Sequence, residues 1–163
     1  MKPEIRFLEL FESGTPTPKQ GDCVTTCFAN FVPGESENER YEAIANRYRY
    51  LRRKKNIFYR LFATRNGTPN EWVEQIGQQL GLYRFMFPPM SLDIFLGWLP
   101  SLNINEMAIG CILLDEKGKR QEHMFFAKYD NENNTLYVRD KGNTFFEIVC
   151  VSEIYYKEPN GCH

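Results

Sequence analysis

"EHMFFAKYDNENNTLYVRD", Glu122 to Asp140, decides how the second half of the chain folds. Two runs rich in Phe, Tyr, Val and Leu flank a polar segment, Asp130 to Asn134, and that pattern reads as a β-hairpin. His123 leads the first run and Asp140 ends the second. A tip at Asn131-Glu132 sets His123 opposite Asp140 across the two strands. A one-residue change in loop length would send the pair to opposite faces, so the assignment hangs on the turn.

Outward from the hairpin, the sequence after Pro100 keeps the same character. "MAIGCILL" (107–114), "TFFEIVCV" (144–151) and "EIYYK" (153–157) read as further strands, separated by "DEKGK" (115–119) and "KGN" (141–143). The sequence before Pro100 is different. Residues 4–11 suit a short strand, and "GTPTPKQGD" (14–22) is a Pro- and Gly-rich loop. Helical spacing then takes over. It holds from Cys23 to Val32, where Pro33-Gly34 stops it, and over 36–62, with a break expected near Lys55-Asn56. "TPNEWVEQIGQQLG" (68–81) carries a Thr68/Glu71 capping box, Pro69 at the first helical position and Gly81 past the end. "SLDIFLGWL" (91–99) is a shorter helix capped by Ser91. Helices first and an antiparallel meander after them define the α+β class. The reading is one domain over 1–163, mainly helical in 1–100 and sheet in 101–157.

Composition narrows the function. The 163 residues suit one core, and a net charge of −1 creates no field that would recruit nucleic acid or an acidic membrane. No apolar run reaches membrane-spanning length and the N-terminal residues do not form a signal peptide, so a cytoplasmic protein is expected, with delivery as an effector the other route. The five cysteines, Cys23, Cys27, Cys111, Cys150 and Cys162, are odd in number and form no CxxC. That argues for reduced thiols rather than a disulfide framework. The segment 46–60, "NRYRYLRRKKNIFYR", is basic with interleaved aromatics. It reads as a solvated helix face with inward tyrosines, one that offers an acidic partner a docking surface. Trp72 and Trp98 read as packing anchors.

"KQGDCVTTCFANF", Lys19 to Phe31, raises the chemical question, because Cys23 stands where a polar loop enters a helix. A helix N-terminus and a nearby imidazolium both favour the thiolate that a nucleophile needs. The chain has two histidines, and His163 is the last residue, so His123 is the base to expect. A third group usually holds the tautomer of such a ring, and Asp140 is in place to do so. Gln20, three residues before the thiol, can donate to an oxyanion beside the Cys23 backbone N–H. Each residue also has a plain reading. Cys23 and His123 can be packing residues, and Asp140 can be a turn acceptor ahead of "KGN". Cys27, Cys111 and Cys150 lie in apolar periodic runs and belong to the core. A metal set of Cys23, Cys27, His123 and Asp140 lacks a second close-spaced ligand pair, so no metal is expected.

In this order, "QGDCVTTCFANF", "EWVEQIGQQLGL" and "EHMFFAKYDNENNTLYVRD" resemble the papain-like cysteine hydrolases. The similarity is greatest to the compact bacterial and phage branch that includes double-glycine leader peptidase domains, and it spans roughly Gln20 to Cys150. Val24 stands where the leader peptidases usually carry Gly, and Lys141 where many relatives carry Pro. The resemblance implies a helical subdomain packed on an antiparallel sheet with a cleft between them. It implies Cys23 as nucleophile, His123 as general base and acid, Asp140 as orienting acid and Gln20 as oxyanion donor. A peptide or protein substrate and no cofactor go with it. Peptidase is the favoured activity. Glutamine deamidase, acyltransferase and a non-catalytic scaffold that binds a protein partner are the alternatives.

Overall fold

The structure, a computed structural model, describes residues 1–9, 23–54, 70–140 and 142–157. The chain divides into two compact units, Phe11–Gly81 and a second built from Met1–Leu10 with Leu82–His163. Among the described residues are five α-helices and one six-stranded sheet, a mixed α/β arrangement.

The first unit is helical. Helix α1 (Cys23–Ala29) ends where Asn30 turns its Nδ2 back to the carbonyls of Thr26 and Cys27, at 3.1 and 2.9 Å. Those two bonds satisfy carbonyls that the helix end leaves open. Helix α2 (Glu37–Lys54) starts on a Ser-x-x-Glu cap that the sequence reading did not use. Ser36 Oγ accepts the Glu39 N–H at 3.1 Å, and the Glu39 carboxylate reaches back to the Glu35 N–H. Tyr41, Ile44 and Leu51 are buried along one side, as the helical spacing anticipated. The expected break near Lys55-Asn56 lies outside the described residues. Helix α3 (Asn70–Gln79) buries Trp72, Val73 and Ile76, and Gly81 lies just past its end at φ 74°, a left-handed value that suits glycine. Thr68 and Pro69, the expected start signals, lie outside the described residues.

The second unit is a sheet with helices on one face. Its strands are β1 (Glu4–Phe7), β2 (Tyr83–Met90), β3 (Glu106–Leu114), β4 (Arg120–Asp130), β5 (Thr135–Arg139) and β6 (Ile148–Tyr156). Their order across the sheet is β1-β5-β4-β3-β6-β2. The expected antiparallel sheet is corrected in two ways. First, β1 runs parallel to β5, with Glu4 beside Thr135 and Phe7 beside Val138, so the sheet is mixed. Second, only β3, β4 and β5 form a meander, and β6 returns to the far side of β3.

Helix α4 (Leu92–Trp98) starts at Ser91, whose Oγ accepts the Ile94 N–H at 3.2 Å. The short helix α5 (Gly142–Phe146) comes after β5. Phe95, Leu96 and Leu99 share one core with Met107, Ile109, Cys111, Phe125, Ala127, Leu136, Val138 and Phe145. The β-strand alternation explains this face, since the odd residues of β3 and β4 point the same way. On β6 the core positions are Ile148, Val151 and Ile154, three residues apart. Two register shifts against β3, between Gly110 and Cys111 and between Ile112 and Leu113, bring all three to the same face.

Candidate active site

The site begins with a turn. Asp130 Oδ1 accepts the N–H groups of Glu132 and Asn133 at 3.0 and 3.3 Å, and its Oδ2 accepts Asn133 Nδ2 at 2.7 Å. Asn134 closes the loop at φ 48°. Thr135 therefore pairs with Asp130, and four residues, not two, form the turn. The ladder pairs Phe126 with Arg139, so the expected direct opposition of His123 and Asp140 is corrected by two residues. An even shift preserves the faces. His123 and Asp140 remain on the same side of the sheet and meet on the diagonal.

They meet closely. His123 Nε2 lies 2.9 Å from Asp140 Oδ2, with the two side chains 17% and 11% exposed. An ionised carboxylate only accepts hydrogen bonds, so a neutral ring bonded to one here would donate from Nε2 and leave Nδ1 to accept. His123 pairs in register with Cys111 across β3, a neighbour that the sequence reading left in the core. Cys111 is 3% exposed, and that assignment stands. The His123 ring lies along Phe125, two residues on, with centroids 6.4 Å apart and planes at 26°. Phe125 is buried, so one side of the imidazole is walled by an apolar ring.

Cys23 is the first described residue of α1 and is half-buried. Cys27, Cys111 and Cys150 are buried, as expected, and all four are free thiols. Cys23 belongs to the helical unit, and His123 and Asp140 to the sheet unit. Gln20, Lys141, Cys162 and His163 lie outside the described residues. Among the described residues no helix is long and apolar enough to cross a membrane, and no group of three or more His, Cys, Asp or Glu side chains is arranged to hold a metal ion. Comparison of the chain with protein-family models, with curated proteins and with solved structures gave no match.

Proposed function

We propose that the chain is a papain-like cysteine hydrolase acting on a peptide or side-chain amide bond, with peptidase activity favoured. The observation that carries this reading is the His123–Asp140 contact. A part-buried carboxylate that fixes an imidazole tautomer is what a thiol nucleophile needs from its base. Supporting it is the greater exposure of Cys23, on α1, than of the other three described thiols. Three described helices before β2 and four of the six strands after Trp98 are compatible with a papain-like arrangement.

In the proposed chemistry, His123 Nδ1 takes the Cys23 thiol proton while the sulfur attacks the amide carbonyl. Gln20 and the Cys23 backbone N–H donate to the oxyanion. The imidazolium, held by Asp140, returns the proton to the leaving nitrogen, and a thioester remains. Water, deprotonated by His123, attacks the thioester and restores the free thiol.

Alkylation tests the reading without a known substrate. At about pH 6, iodoacetamide should label Cys23 well ahead of the other thiols, and His123→Ala should slow that labelling by at least about tenfold. Equal rates in the wild type and His123→Ala would mean that the two residues never act together, and the chain would then read as a binding scaffold. If the thiol is live, ammonia release from a glutamine peptide, as against chain cleavage, separates deamidase from peptidase.

A further inference from the structure

We infer that Phe145 is a positioning residue for the His123–Asp140 pair; its catalytic consequence rests on the proposed role of His123 as the base. The β4–β5 ladder ends at Phe126 and Arg139, so the ladder itself does not set where Asp140 stands. Beyond Asp140 the chain enters α5, five residues long. A single helical turn of this length has little stability of its own and is held by what it packs against. Phe145 supplies that packing. It is fully buried, whereas its neighbour Phe146 is 67% exposed.

The rings around Phe145 lead back to the imidazole. Phe145 meets Phe125 edge-on, with centroids 5.6 Å apart and planes at 83°. Phe7 of β1 meets Phe145 in the same way at 5.8 Å and 81°. Phe125 in turn lies along His123. One buried ring thus touches both the imidazole and the anchor of the segment that carries the acid. Edge-to-face pairs have a preferred geometry, so the contacts fix position as well as adding burial. A smaller side chain at 145 lets α5 settle, and Asp140 shifts against His123. A displacement of about 1 Å is enough to spoil a hydrogen bond that selects a tautomer.

The test reads the tautomer directly, by ¹⁵N shifts of the His123 ring assigned against His123→Gln. The wild type should show the Nε2-protonated ring. Phe145→Leu should raise the Nδ1-protonated form several-fold, as Asp140→Asn should. Leu99→Ala, a cavity in the same core, should lower the melting temperature and leave the tautomer unchanged. A folded Phe145→Leu with the wild-type tautomer ratio, or Leu99→Ala shifting it as far, overturns the inference. Should Phe145→Leu fail to fold, Phe7→Leu decides alone, since Phe7 is 42% exposed and touches the same ring. It should shift the ratio in the same direction, and no shift overturns the inference. Cys23 alkylation in His123→Ala keeps the two readings apart. If it is unchanged, the hydrolase reading falls, and the tautomer result still decides the role of Phe145.

Discussion

His123 and Asp140 meet on the diagonal of the β4–β5 pair, Nε2 to Oδ2 at 2.9 Å, one residue beyond the end of the ladder. If this contact fixes the imidazole for catalysis, Asp140→Asn should leave the fold intact, because the residue lies outside the strand hydrogen bonds. The amide can offer Nδ2–H as well as Oδ1, so the ring is no longer held in one tautomer. Activity, or Cys23 alkylation where no substrate is known, should fall by roughly 10²–10⁴. A drop in melting temperature with Cys23 reactivity unchanged would make Asp140 a turn residue.

The thiols offer a separate check. Cys27 and Cys111 are each 3% exposed and Cys150 is 8% exposed, whereas Cys23 is half-buried. Brief alkylation of the folded protein, mapped by mass spectrometry, should therefore modify Cys23 and leave those three intact. Cys23→Ala should remove both the labelling and any activity. Labelling of Cys27 ahead of Cys23 would move the nucleophile one turn along α1.

How much of this was legible in the sequence depends on the kind of signal. Caps and alternation carried well. Ser91, Gly81 and the alternating β3–β5 strands behave as their residue types dictate. Strand β2 was not legible, because Pro88 and Pro89 argue against a strand. They are tolerated here because β2 is at the sheet edge and shifts register between Met86 and Met90. The segment 144–151 read as a strand, but Thr144 to Phe146 belong to α5 and β6 starts only at Ile148. Two adjacent phenylalanines look like strand residues, and only the buried site for Phe145 shows otherwise. The Ile148, Val151, Ile154 spacing hid one bulged strand as two short ones. At the site, the shared face of His123 and Asp140 follows because the expected and observed registers differ by an even number of residues. Their exact register was not legible, because it depends on how the Asp130 side chain folds the turn.

Gly110 makes room for an ion pair. A Cβ at this position would lie 2.6 Å from Glu153 Cγ and 3.0 Å from Oε1. Glu153 cannot move aside freely, because Arg84 Nε holds its Oε2 at 2.7 Å, with the two side chains 25% and 19% exposed. Gly110→Ala should therefore destabilise the sheet unit by about 1–3 kcal/mol, read from urea unfolding. Combining it with Glu153→Ala, which removes the obstructing atoms, should recover part of the loss. Purely additive losses would show that the crowding is not with Glu153.

Asn134 ties the hairpin to the N-terminus. Its Nδ2 donates to the carbonyls of Met1 and Lys2, its Oδ1 accepts the Tyr129 hydroxyl at 2.7 Å, and its own carbonyl accepts the Glu4 N–H. It does this at φ 48°. Asn134→Gly should lose the side-chain bonds and keep the backbone shape. Asn134→Ala should lose both and be less stable than the glycine variant by about 1 kcal/mol. An alanine variant as stable as the glycine variant would mean that the turn changes conformation at little cost.

Asp130, at the start of the same turn, makes stability depend on acid. Its carboxyl is held below the usual range, first by the Asn133 side-chain amide and then by the Asn133 backbone N–H, with burial acting the other way. The neighbouring Tyr129 hydroxyl is raised, first by burial and then by the Asp130 charge. Because the folded carboxyl sits below its unfolded value, the stabilisation is fully present above the ordinary carboxylate range. It is lost as the pH falls through the lowered value. Asp130→Asn removes the titration while keeping an acceptor for the turn N–H groups. The wild type should therefore exceed the variant in melting temperature near about pH 6, and the gap should close as the pH falls toward about 2. A gap that stays constant over that range would show that the turn holds Asp130 no differently from the unfolded chain.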